Sequence, residues 1–153
     1  MTKMQANESL KNLKKRALYY LAKREYSFKE LIQKILKYAY EIGLSEKECF
    51  VVVEELKEKN FQSDERFCES YINSKKNKFG SQRISFDLQQ KGVDQYLIDT
   101  FISELKIHED KIASLVWSKK YNSPPANKNE ESKQIRFMQS RGFSFEVIKK
   151  IIR

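Results

Sequence analysis

Glycine and proline are scarce in this chain of 153 residues, with 4 and 2 occurrences. So few turn formers exclude a turn-rich all-β fold and favour helices joined by short connections. Cysteine occurs only twice, at Cys49 and Cys68, without the paired spacing of a metal or redox site. Both sit at apolar helical positions, so reduced, buried thiols packing like small hydrophobes are expected. His108 is the only histidine; its neighbours Glu109 and Asp110 cannot converge with it on one metal, because adjacent helical residues face different directions. No glycine-rich phosphate loop, nucleophile elbow or metal-spaced cysteine pair is present. The expectation is therefore a non-enzymatic protein with no cofactor and no metal. No apolar run is long enough to span a bilayer, and residues 1–8 lack the apolar core of a signal peptide. A cytoplasmic protein without membrane contact is expected.

A repeated phrase is what the chain does have. Gly92-Val93-Asp94-Gln95-Tyr96-Leu97-Ile98 is echoed by Gly142-Phe143-Ser144-Phe145-Glu146-Val147-Ile148, and more loosely by Gly43-Leu44-Ser45-Glu46. Each copy has a glycine that stops one helix, then an apolar residue, then Ser or Asp to start the next. Internal repeats of this length decide architecture. They predict an all-α fold of three tandem three-helix repeats, a shape suited to lying along a long partner. The expected divisions are a flexible tail over 1–8 and repeats over 9–60, 61–107 and 108–153.

Apolar spacing fills in the helices. Leu10, Leu13, Ala17, Leu18 and Leu21 form one stripe; Phe28, Leu31, Ile32, Ile35, Leu36 and Ala39 form the next, opened by the capping box Ser27-Phe28-Lys29-Glu30. A second box, Ser45 to Glu48, opens a helix with Cys49, Val52, Val53 and Leu56 on one face. In the middle repeat Ser63 is the expected N-cap of a helix carrying Phe67, Cys68, Tyr71 and Ile72. Ser81 is expected to cap a short helix ending at Gly92, with Gly80 as a helix stop, and Asp94 to cap the third helix. In the last repeat a helix with Ile112, Leu115 and Val116 meets the loop Tyr121–Asn127, where Pro124 and Pro125 forbid helix. A helix over Glu131–Ser140 and a short final helix from Phe145 complete it.

The net charge of +9 is uneven. Residues 1–60 carry 13 Lys/Arg against 9 Asp/Glu, residues 61–107 carry 7 of each, and residues 108–153 carry 10 against 5. Basic ends on a balanced middle suit a polyanionic partner, bound with release of counterions.

The segments Asp64-Glu65-Arg66-Phe67-Cys68-Glu69-Ser70-Tyr71-Ile72 and Gly80-Ser81-Gln82-Arg83-Ile84-Ser85-Phe86-Asp87-Leu88-Gln89-Gln90-Lys91-Gly92-Val93 resemble the central motif of the RecX family. That motif reads D-x-R-F-A-x-x-Y, then G-x-x-R-I-x-x-x-L-x-x-K-G-I; Cys68 and Val93 are mild departures. Ala17–Ser27 and Arg141–Ser144 add weaker support, and residues 37–41 look like an insertion in the first repeat. The resemblance implies a regulator that binds the bacterial recombinase RecA in the groove of its filament on single-stranded DNA and inhibits filament growth, ATP hydrolysis and strand exchange. The resemblance also implies an elongated, curved molecule. A monomer is expected.

Candidate contact residues are cationic. They are Lys14, Lys15 and Arg16 in the first repeat; Lys75, Lys76, Lys78, Arg83 and Lys91 in the second; and Lys119, Lys120, Arg136 and Arg141 in the third. Arg83 and Lys91 have two open roles, bracing one helix against another or reaching a phosphate or acidic patch. The lysine clusters are read either as solvated helix ends or as a binding edge. Tyr19, Tyr20, Tyr38 and Phe79 lie near cations and could pack between helices or stack on bases. The rival reading is a helix-turn-helix protein that binds single-stranded or duplex DNA directly. Its recognition helices, expected over Glu46–Lys59 and Asp94–Lys106, are rich in acids, which opposes that role.

Overall fold

The computed structural model describes residues 1–153 and contains nine α-helices and no strand. In chain order they are α1 (Lys3–Leu21), α2 (Phe28–Glu41), α3 (Glu46–Glu58), α4 (Asp64–Lys75), α5 (Ser81–Gln90), α6 (Gln95–Ile107), α7 (Glu109–Lys120), α8 (Lys128–Ser140) and α9 (Phe145–Ile152). The chain forms two compact units. One comprises Met1–Ser70 with Lys91–Val93; the other comprises Tyr71–Gln90 with Asp94–Arg153. No helix is long and apolar enough to cross a membrane.

In the first unit α1, α2 and α3 pack around Leu13, Ala17, Leu31, Ile35, Ala39, Cys49, Val53 and Leu56, none of which reaches solvent. Full burial of each large aliphatic side chain contributes about 1.5–3 kcal/mol. In the second unit Ile84 and Leu88 of α5 are buried, as are Ile98 and Ile102 of α6. Beyond them α7, α8 and α9 enclose Ala113, Val116, Met138, Phe143, Ile148 and Ile152. Both cysteines are buried, as expected. Burial, reinforced by the nearby carboxylates of Asp64, Glu65 and Glu69, pushes the Cys68 thiol up to about 12, so it carries no thiolate at neutral pH.

The local signals behave as the sequence predicts at most helix ends. Ser27 and Glu30 satisfy each other's amides at 3.1 Å each. Ser144 caps α9 through the Val147 amide, and Ser63 accepts from the Arg66 amide. Gly43, Gly92 and Gly142 all take positive φ, at 82°, 78° and 94°. The Leu44 amide then reaches back to the Ala39 carbonyl at 2.8 Å, and the Phe143 amide to the Met138 carbonyl at 3.2 Å, which closes the helix end in Schellman fashion.

Four expectations need correction. Residues 1–8 are not an irregular tail: α1 starts at Lys3, because Thr2 and Gln5 form a capping box that the sequence reading passed over. The eighth helix begins at Lys128, three residues early, since Asn127 accepts from the Glu130 amide. Gly80 is no left-handed stop. Its amide donates to the Arg141 carbonyl at 2.7 Å, and a Cβ there would lie 2.5 Å from the Gly142 oxygen, so glycine is needed for backbone approach. Ser81 is the first residue of α5 and not its cap; its amide and hydroxyl both donate to the buried carboxylate of Glu109.

Candidate cationic groove

Two helix starts show how the repeats are joined. Aligning the glycine turns and the buried apolar positions sets Phe28 against Ser81, Glu30 against Arg83, Asp64 against Glu109, and Lys91-Gly92-Val93 against Arg141-Gly142-Phe143. At the start of α2 the Phe28 amide donates to Asp64 Oδ1 at 2.8 Å, and the Ser27 hydroxyl donates to the Lys91 carbonyl at 2.8 Å. At the start of α5 the Ser81 amide donates to Glu109 Oε1 at 2.9 Å, and the Gly80 amide donates to the Arg141 carbonyl. The acid that opens one helix thus caps another, where free amides and the helix dipole favour a negative charge. Neither acid was identified from sequence as a cap for a remote helix.

The charged side chains at these two joints differ. Lys91 Nζ pairs with Glu30 Oε2 at 2.9 Å. Burial opposes ionisation of Glu30, yet Lys91 and the Ser27 amide outweigh it and hold the carboxyl below the usual range. Lys91 is therefore tied into the fold as a brace. At the corresponding pair the acid is replaced by Arg83, so two arginines meet instead. The Arg83 guanidinium lies 3.9 Å from the centre of the Phe79 ring and donates to the Ser140 carbonyl at 3.2 Å; Arg141 lies 5.6 Å from the same ring. Arg83 therefore braces α5 while leaving its charge without an acidic partner.

Arg141 also faces the Phe137 ring at 5.1 Å, and Lys120 sits over that ring at 4.2 Å. The Tyr121 and Phe137 rings pack nearly at right angles, 5.8 Å between centroids. Together these side chains border a groove of about 510 Å³, lined by Asn77, Lys78, Val116, Lys119, Lys120, Phe137 and Arg141. The C-terminus of α7 supplies the two lysines, the last turn of α8 supplies the ring, and the turn before α5 supplies Lys78. No acidic side chain lines the groove. The rings beneath Lys120 and Arg141 stabilise each of these two by about 0.5–1 kcal/mol and fix where their charge is presented.

Of the other candidates, Lys75 lies about as far from Phe79 (5.9 Å) as from Tyr71 (6.0 Å). Lys76 and Arg136 are exposed and lie outside the groove lining. In the first unit Lys14 is paired with Glu55 at 2.8 Å, and Arg16 is stacked over Tyr38 at 3.9 Å, while Lys15 is exposed. Hydrogen bonds from Lys14 and Lys59 hold the Glu55 carboxyl at about 2. The structure thus gathers Lys78, Lys119, Lys120 and Arg141, with Arg83 and Lys75 beside them, and separates out Lys14 and Lys91. Phe137 was missed, although it stands one helical turn before Arg141.

Residues 63–101 match the model of the RecX second three-helix domain, and residues 108–152 match that of the third. Regulatory protein RecX of Chromobacterium violaceum is 38% identical over 144 residues, covering 93% of this chain and 90% of its own length. The protein of the same name from Neisseria gonorrhoeae is 36% identical over 138 residues, covering 90% and 87%. A crystal structure of RecX from Lactobacillus salivarius superposes with a TM-score of 0.74 at 22% identity, over 95% of this chain and 96% of that one, which shows the shared fold. Matches of this extent, on a helical repeat whose central motif the sequence carries, show that the chain belongs to the RecX family of regulatory proteins.

Proposed function

We propose that this chain binds the filament which the RecA recombinase forms on single-stranded DNA and restrains its assembly, ATP hydrolysis and strand exchange, so modulating recombination and repair in the cytoplasm. The observation that carries this reading is the family match over more than nine-tenths of the chain. Three tandem repeats, over 9–60, 61–107 and 108–153, would offer several modest contacts, and linked contacts gain effective concentration. The groove cations Lys78, Lys119, Lys120 and Arg141 form the contact surface in this reading. Lys14 and Lys91 do not, because each is held by an internal carboxylate.

Direct helix-turn-helix reading of duplex DNA is the weaker account. Its third helices would be α3 and α6, which expose Glu46, Glu58, Asp99 and Glu104 where base-edge donors and phosphate contacts are needed. DNA-dependent ATP hydrolysis by RecA, followed while this protein is titrated in, tests the proposal. Suppression well below one protein per recombinase subunit is expected; unchanged hydrolysis at excess protein would overturn it.

A further inference from the structure

The groove bordered by α7 and α8 holds four cations and no acid. Internal pairing does not account for it: Lys78, Lys119, Lys120 and Arg141 have no salt bridge, whereas Lys14 and Lys91 do. In the preceding copy the cation aligned with Arg141, Lys91, is neutralised by Glu30, whereas Arg83 takes the place of that acid beside Arg141. We infer that this groove binds a single strand of nucleic acid directly, its phosphates meeting Lys78, Lys119, Lys120 and Arg141, with Phe137 as the apolar floor beneath sugar or base. The inference deepens the filament reading by naming the chemistry met at one surface, and it relies on that reading only for the setting in which the strand is encountered.

The chemistry selects the ligand. Three of the four cations are lysines, compact point charges on flexible stems that suit a succession of phosphates; a carboxylate-bearing peptide is held best by the forked geometry of several arginines. Cations interleaved with rings are the composition of sequence-tolerant single-strand grooves, where the backbone is tracked by charge and the bases meet aromatic surface. At about 510 Å³ the groove admits groups the size of a nucleotide. A duplex could lay phosphates only across its rim and could not bring bases to Phe137.

Fluorescence anisotropy of the intact protein with a labelled oligothymidylate of about 16 nucleotides tests this without any recombinase. The Lys119→Ala/Lys120→Ala variant is expected to bind about tenfold more weakly, with a salt slope shallower by about 1.4. Phe137→Leu should weaken binding at unchanged slope. Lys149→Ala/Lys150→Ala, on the exposed face of α9, should bind as the parent does; circular dichroism and urea midpoints check that every variant is folded. Equal weakening in both lysine pairs would mean diffuse charge and would overturn the groove. So would absence of oligothymidylate binding, tighter binding of duplex, or equally effective competition by polyglutamate. ATPase suppression by the parent protein is read separately: its loss defeats the filament reading, whereas loss of oligonucleotide binding alone defeats only the groove.

Discussion

Helices α2 and α5 begin in the same register on equivalent glycine turns, yet their joints have opposite electrostatics. In the first, Glu30 meets Lys91 and closes the charge within the fold. In the second, Arg83 stands where Glu30 stood, and Arg141 where Lys91 stood, so two cations share the Phe79 ring and neither has an acidic partner. The contacts at the helix starts, in contrast, correspond: an acid from α4 or α7 caps the first amide, and the carbonyl of Lys91 or Arg141 accepts from the preceding residue, through the Ser27 hydroxyl in one joint and the Gly80 amide in the other. One frame thus serves two ends. Cation count alone would rank the first repeat, with 13 Lys/Arg, above the third, with 10, yet the acid-free groove that holds Lys119, Lys120 and Arg141 is built on the third.

The largest break in the correspondence should come at the glycines. A Cβ on Gly142 would lie 2.3 Å from the Arg83 Cβ and 2.6 Å from its backbone nitrogen, whereas one on Gly92 meets only the Lys29 side chain, at 2.9 Å. Gly142→Ala is expected to cost about 3 kcal/mol, strain and crowding combined, and Gly92→Ala about 1–2 kcal/mol, read from urea unfolding midpoints. Equal losses would show that the second turn is no more tightly docked than the first.

Removing the caps gives a smaller effect. Glu109→Ala leaves the buried Ser81 amide and hydroxyl without their acceptor and should cost about 2 kcal/mol. Asp64→Ala, at the partly solvated joint, should cost about 1 kcal/mol. A ranking in the reverse order would refute the burial argument.

Charge exchange sharpens the comparison further. Arg83→Glu would rebuild the first joint's pairing at the second, opposite Arg141. Stability should change by less than about 1 kcal/mol, while oligothymidylate affinity falls by about tenfold. Retained affinity would mean that the pairing state of Arg141 does not govern binding.

The smallest effect concerns acid. Because Glu30 is held below its ordinary value, the Lys91 pair contributes stability that is fully present above the usual carboxylate range and lost as pH falls through the lowered value. Lys91→Ala should therefore cost about 0.5–1 kcal/mol at neutral pH and progressively less in acid, where the parent loses the same contribution. A constant difference across the acid limb would remove the pair as its source.

The helices were legible in the sequence because their signals are local. Ser27 with Glu30, the three left-handed glycines and the apolar stripes all act within a few residues. The joints were not, because they link Asp64 to Phe28 across 36 positions and Glu109 to Ser81 across 28, and no local pattern marks such a cap. Gly80 illustrates the limit: a glycine after a helix reads as a stop, but here it is required by a neighbouring backbone. The cations were legible as residue types, and their roles were not, since Lys14 finds Glu55 41 residues away and Lys91 finds Glu30 at 61. Phe79 stood out beside its lysines, whereas Phe137 became visible only when α7 and α8 brought Lys120 over its face.

The most direct test compares the two register-matched cations in one experiment: the salt dependence of oligothymidylate binding by Arg141→Ala and by Lys91→Ala. The account predicts weaker binding and a slope shallower by about 0.7 for Arg141→Ala, with Lys91→Ala indistinguishable from the parent. Equal losses in the two variants, or a loss confined to Lys91→Ala, would contradict it.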